Sequence, residues 1–403
     1  MATQKNNIDV KKLAAAVQEN VILWRRKLHE IPELGMDLPQ TSAYIKQELT
    51  KMGIPYKTYL DGMAVTAWIK GEKEPSSELR LGMRADMDAL PVLEETGLPF
   101  ASDSGCMHAC AHDGHMAMLL GAAKILSSYT HLFSGEVVLI FQPSEEVPPG
   151  GALPMLEEGL LHDFPLDFII GLHAGIVNPD TKPGTINWKE GPMMAAVDTF
   201  TLRFIGRGSH GAHPEQSRDP IVAAAQFVTA LQSIKSRNIK ASDMAVITIG
   251  KIESGISQNI IPETVELLGT VRSFTPEVRD NIESRIKQMT EGISMAMDVK
   301  SELDFQRNYP AVVNDEKCTR RVVSSLAKVL DSSELNQMQD PVMIGEDFAY
   351  FLQKVPGTFL FLTNPKNQNG ENYPHHHSRF DINEEQLTLG VTAFIQIALD
   401  FLD

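Results

Sequence analysis

The sequence predicts an α/β protein in which a mostly parallel sheet is interrupted by a smaller inserted unit. Three observations predict it. Short apolar runs alternate with helical stretches through the first part of the chain, a different order of elements begins near Gly191, and the first pattern then resumes to the end. At 403 residues the chain also exceeds what one hydrophobic core ordinarily serves, so two domains are expected on length.

The elements follow in order. Leu13, Val17, Val21, Trp24 and Leu28 recur at helical spacing, predicting one amphipathic helix that Pro32 ends. The apolar runs 63–69, 79–85, 136–141 and 167–172 read as strands, with helices at 114–127 and 151–158 between them. After Gly191 come a strand at 198–205, a helix at 220–234, strands at 244–252 and 264–272, a helix at 276–296 and a strand at 300–306. That β-α-β-β-α-β order matches the ferredoxin-like plan. The first pattern resumes with a helix at 317–330, a strand at 358–363 and a last helix at 384–401, while the polar stretch 364–372 reads as a loop. The expectation is a discontinuous domain, 1–189 plus 307–403, carrying an insertion at 190–306.

Composition narrows the function. A hydrophobic fraction of 43% and a charged fraction of 22% suit a soluble globular protein. The net charge of -16 argues against a partner that is a nucleic acid, which calls for a basic patch. No apolar stretch reaches bilayer length, so no membrane partner is expected, and the first thirty residues lack the pattern of a secretory signal. Three cysteines, Cys106, Cys110 and Cys318, make no disulfide framework and fit a cytoplasmic location.

The groups capable of chemistry gather where predicted strands end. Asp86 and Asp88 follow one strand, Glu145 and Glu146 another, and His173 closes a third. Between them lies His108-Ala109-Cys110-Ala111-His112-Asp113-Gly114-His115, and His375-His376-His377 follows the last strand. Each alone has an ordinary explanation: aspartates cap turns, paired glutamates are solvated, and single histidines are commonly satisfied side chains. Five such features at the carboxyl end of one inferred sheet, where α/β folds bind ligands, are hard to attribute to chance. Imidazole, carboxylate and thiolate are the donors that mid-row divalent metals accept. Two such ions can acidify water and polarise a carbonyl, while a neighbouring carboxylate moves the proton.

Gly82-Met83-Arg84-Ala85-Asp86-Met87-Asp88-Ala89-Leu90-Pro91, Met107-His108-Ala109-Cys110-Ala111-His112-Asp113 and Gln142-Pro143-Ser144-Glu145-Glu146 together resemble the amidohydrolase branch of the aminoacylase and carboxypeptidase metallopeptidase family. Hippurate hydrolases, N-acyl-L-amino-acid amidohydrolases and indoleacetyl-amino-acid hydrolases belong to that branch. Gly171-Leu172-His173, Gly208-Ser209-His210, Ser257-Gln258-Asn259, Gly269-Thr270-Val271-Arg272 and Gly345-Glu346-Asp347-Phe348 extend the resemblance over nearly the whole chain.

The resemblance implies a metal-dependent hydrolase that cleaves N-acyl-L-amino acids to a carboxylic acid and a free amino acid. It implies Cys110, His112, Glu146, His173 and His376 as ligands of two divalent ions, zinc foremost, with manganese, cobalt or nickel as alternatives. His376 is chosen among the three histidines because it stands four residues before Phe380, in the family's register. Glu145 is implied as general base, with Asp86 and Asp88 supporting the ligands. The inserted domain is implied to be a lid and dimerisation domain of a homodimer, where His210 stabilises the oxyanion and Asn259 and Arg272 hold the substrate carboxylate. The alternatives are a metallocarboxypeptidase or dipeptidase, and a biosynthetic N-acetyl-amino-acid deacetylase. Two departures stand out. Ala111 replaces the glycine the family places between the Cys and His ligands; if that position needs positive φ, Ala costs roughly 1 kcal/mol there. Ala174-Gly175-Ile176 after His173 also differs from the family's valine and bulky residue.

Overall fold

The computed structural model describes residues 8–176, 181–366 and 371–403. The chain divides into two compact units, one of Met1–Met193, Val313–Val342 and Asp347–Asp403, the other of Met194–Val312 and Met343–Glu346. These limits lie a few residues beyond the expected 190 and 306, and the short return Met343–Glu346 has no counterpart in the sequence reading.

The main sheet of the first unit is built from β1 (Tyr56–Tyr59), β2 (Ala64–Lys70), β3 (Arg80–Asp86), β4 (Glu136–Gln142), β5 (Phe168–Gly175), β6 (Thr185–Trp188), β7 (Leu335–Gln337) and β8 (Gly357–Thr363). They form one sheet in the order β1-β2-β4-β3-β5-β8-β6-β7. The four central strands β4, β3, β5 and β8 run parallel, while β2 lies antiparallel to β4 and β6 antiparallel to β8. Their carboxyl ends therefore share one edge, ending at Gln142, Asp86, Gly175 and Thr363. Val137 to Phe141 of β4 are buried without alternation, as expected of a strand covered on both faces.

The longer helices are α1 (Val10–Ala16), α2 (Gln18–His29), α3 (Pro39–Lys51), α4 (His112–Ser128), α5 (Glu316–Leu326) and α6 (Leu387–Phe401). Helix α4 is buried almost all round, and it is the pillar of this core. A Cβ on Gly121 would meet Val21 of α2 at 2.8 Å and Val391 of α6 at 2.9 Å, so only glycine admits both neighbours this closely. Three details differ from expectation. The N-terminal helix is two helices, because Val17 leaves helical geometry at φ -108° and ψ 3°. The helix expected at 317–330 is regular only to Leu326. Helix α3 and strands β1, β6 and β7 were not foreseen. Of the expected loop at 364–372, residues 367–370 lie outside the described residues.

The second unit is a four-stranded antiparallel sheet in the order Ala245–Ser254, Thr264–Ser273, Ala196–Ile205, Lys300–Arg307. Helices Pro220–Ser233 and Pro276–Met297 begin with Pro after the capping residues Asp219 and Thr275. Phe200, Leu202 and Phe204 bury against Phe227, Leu231, Ile282 and Ile286 of these helices. A separate ribbon pairs Ser209–His210 with Ile260–Ile261.

Candidate metal centre

The N-terminus of α4 sets His112. Ala111 precedes it at φ 66° and ψ 17°, the left-handed conformation that glycine adopts without strain. His112 Nδ1 donates to the Asp88 carbonyl oxygen at 2.7 Å, which leaves Nε2 as the atom turned to the pocket. Nε2 lies 3.7 Å from Asp86 Oδ2 and 3.8 Å from Glu146 Oε1, yet it is buried and makes no hydrogen bond. Burial pushes the His112 pKa down, but Asp86, Asp88 and Glu146 outweigh it and raise it to about 10. The pocket thus favours positive charge at this point.

Two aspartates from the end of β3 organise the walls. Asp86 Oδ2 accepts from Arg84 at 2.6 Å and Oδ1 accepts from His115 Nδ1 at 2.5 Å. Burial alone would raise the Asp86 pKa; His112, Arg84 and His115 hold it well below the usual carboxylate range. Arg84 also donates to Gln142 Oε1 at 2.9 Å and Asp347 Oδ1 at 2.8 Å. Asp88 does something different. Its two carboxylate oxygens accept the successive backbone N–H groups of Glu145, at 2.8 Å, and Glu146, at 3.0 Å. Ser144, at φ 58°, turns the chain so that this is possible.

The remaining donors converge on the same pocket. Cys110 Sγ lies 3.4 Å from His173 Nε2, and His376 Nε2 lies 3.4 Å from Glu146 Oε1. The ligand atoms of Cys110, His112 and His173 lie within 4.8 Å of one another, as do those of Cys110, Glu146 and His376, and those of His112, Glu145 and Glu146. Cys110 belongs to the first two groups at once. Burial, together with Glu146, Glu145 and Asp86, raises its thiol pKa well above the ordinary value, while burial and the neighbouring histidines lower that of His173. Glu146 Oε1, His112 Nε2 and His173 Nδ1 are buried without hydrogen-bond partners, which native proteins rarely tolerate. These unpartnered atoms fit divalent cations, and the mix of thiol, imidazole and carboxylate suits zinc and its neighbours.

The three consecutive histidines part company. His376 has φ 66° and turns toward Cys110 and Glu146. His375 Nε2 donates to the Ala174 carbonyl oxygen at 3.1 Å, and His377 stacks on Tyr373 with ring centres 4.7 Å apart. In the second unit, the ribbon brings His210 and Asn259 together: the Gly211 N–H donates to the Asn259 carbonyl oxygen at 2.7 Å. His210 is exposed there. Arg272 stands apart on the four-stranded sheet, half-buried, donating to Thr270 Oγ1 and to the Val271 carbonyl oxygen. Asp198, the acid whose charge acts on it, is bound by Arg279.

Sequence reasoning gave no role to two sets of residues. His115 holds Asp86, as described. Behind α4, Arg25 donates to Asp113 at 2.8 Å, Asp381 at 2.9 Å and Glu384 at 3.2 Å, while His29 sits between Asp113 at 2.7 Å and Glu94 at 3.1 Å. The available signal was polar residues at buried positions of otherwise apolar helices.

The sequence model of peptidase family M20/M25/M40 matches residues 82–400. An N-acetyl-L-cysteine deacetylase of Bacillus subtilis is 40% identical over 377 residues, 92% of this chain and 85% of its own. Thermostable carboxypeptidase 1 of Saccharolobus solfataricus is 37% identical over 389 residues, 96% of each chain. Among solved structures, the Bacillus subtilis YXEP protein, a dinuclear metal-binding peptidase of the M20 family, is 33% identical with a TM-score of 0.80, over 96% of this chain and 99% of its own. The hydrolytic chemistry of these relatives accords with the donor set at the sheet edge. The chain is a hydrolase that belongs to peptidase family M20/M25/M40.

Proposed function

We propose that the protein hydrolyses the amide bond of N-acyl-L-amino acids, with Cys110, His112, Glu146, His173 and His376 holding two divalent ions. The observation that supports it most is the pair of overlapping donor groups that share Cys110. When bound, the ions would supply Lewis-acid polarisation of the amide carbonyl and acidify water. Glu145, buried beside Glu146, accepts the proton from the attacking water and returns it to the leaving amine. Asp88 fixes both glutamates through their backbone and orients His112 through its own carbonyl oxygen, while Asp86 places a negative charge 3.7 Å from His112 Nε2. On the second unit, assigned as a lid and dimerisation domain, His210 stabilises the oxyanion while Asn259 and Arg272 hold the substrate carboxylate. A guanidinium suits that task because it can donate two parallel hydrogen bonds. The reading includes zinc as the preferred ion, a homodimer and a cytoplasmic location. Among the described residues no helix is long and apolar enough to cross a membrane.

Glu145→Gln tests the assignment of the base: turnover should vanish while bound metal stays near wild type. Activity close to wild type would remove Glu145 from that role. The carboxypeptidase of Saccharolobus solfataricus favours a second reading, cleavage of short peptides. Acetyl-, benzoyl- and long-chain acyl-amino acids assayed beside dipeptides separate the two.

A further inference from the structure

We propose that His115 is a positioning residue that aligns the donor group of Cys110, His112 and His173 and leaves that of Cys110, Glu146 and His376 alone. The inference rests on the metal reading above. His115 lies one turn into α4, fully buried, with its ring centre 4.6 Å from that of His173 and 5.4 Å from that of His112. Both of its nitrogens are committed. Nε2 accepts the Ala174 N–H at 2.7 Å, so the proton sits on Nδ1, which donates to Asp86 Oδ1 at 2.5 Å.

The need for this link lies in the sheet. Pairing between β3 and β5 ends at Arg84 and Gly171, so the backbone of Ala174, directly after His173, has run past its neighbour on that side. A buried N–H without an acceptor is costly, and His115 Nε2 supplies the acceptor. The same ring then ties Asp86, whose other oxygen faces His112 Nε2, to the strand that carries His173. One imidazole in one tautomer thus sets the spacing between two candidate ligands on different elements. Its two bonds reach neither Glu146 nor His376.

Two substitutions divide its bonds. His115→Asn places an amide N–H near Nδ1 and keeps the donor to Asp86, but leaves the Ala174 N–H unpaired. His115→Gln places an amide oxygen near Nε2 and keeps the acceptor for Ala174, but loses the donor at the Nδ1 position. Metal-free wild-type and variant full-length proteins are titrated with Co(II), following thiolate-to-cobalt absorption and stoichiometry by calorimetry, with thermal unfolding alongside. We expect each variant to bind one of the two ions about 10- to 100-fold more weakly, as other residues behind metal ligands do, and the second ion within about threefold of wild type. Wild-type affinities for both ions in both variants would overturn the role of His115. Equal loss of both ions would also overturn it, showing a general structural contribution instead. Wild-type protein that takes up no Co(II) would overturn the metal reading itself, and this inference with it.

Discussion

Replacing Asp88 by Asn tests whether one carboxylate holds both the base and a ligand in place. The two Asp88 oxygens accept the N–H groups of Glu145 and Glu146 at 2.8 and 3.0 Å, in a site where Asp88 is only 1% exposed. An asparagine of the same shape retains one acceptor oxygen and presents an NH2 to the other N–H. One charge-assisted bond is lost, worth about 1.5–3 kcal/mol, and the remaining one loses its charge. If that energy appears as displacement of the Glu145-Glu146 pair in the transition state, it corresponds to about a 10- to 150-fold fall in kcat/KM. Metal affinity should fall with it, because Glu146 moves too. The assay is steady-state hydrolysis of an N-acyl amino acid at saturating metal, with ion affinity measured separately and folding checked by circular dichroism. A folded Asp88→Asn protein with wild-type kcat/KM and wild-type metal affinity would refute the argument.

Two further outcomes follow from the geometry. Gly175→Ala introduces a side chain at φ 117° whose Cβ would stand 2.0 Å from His375 Nε2. Backbone strain of about 1–3 kcal/mol and the lost His375–Ala174 hydrogen bond, about 1 kcal/mol, should lower unfolding free energy in urea by about 2–4 kcal/mol; an unchanged midpoint would contradict this. His29 has carboxylates on both ring nitrogens, so both must carry protons. Burial and Arg25 push its pKa down, but the hydrogen bonds to Asp113 and Glu94 outweigh them and raise it above 6.5. Its contribution to stability is therefore full below pH 6.5 and is lost as pH rises through the folded-state value. Compared with His29→Gln, wild-type stability should fall over that range, and parallel pH profiles would exclude the charged pair.

What could be read in the sequence is what depends on local pattern. The parallel strands were legible because β3, β4, β5 and β8 carry apolar runs with reactive groups at their carboxyl ends. The β-α-β-β-α-β order of the second unit was legible because Pro220 and Pro276 follow capping residues at helix starts. The break at Val17 was not, since the apolar spacing continues across it through Val21, Trp24 and Leu28 and no Gly or Pro marks it. Helix α3 was hidden for another reason: it buries Thr41 and Ser42, and its first turn is capped from outside by Glu33, which accepts the Thr41 N–H at 2.8 Å. At the site, spacing and resemblance pointed to the ligand-type residues, but gave no role to His115, Arg25 or His29. Their partners lie 29 to 88 or more residues away, and no short motif encodes such pairings.

The turn that leaves β4 has a further consequence. Loops between elements ordinarily gain or lose residues with little harm. Here the two oxygens of Asp88 mark off two successive N–H groups, and Ser144 must turn first for either to arrive. Inserting or deleting one residue between Gln142 and Glu145 would shift both glutamates by one place at once. A carboxylate that measures chain length in this way makes the segment intolerant of indels, however freely other connections of the unit vary.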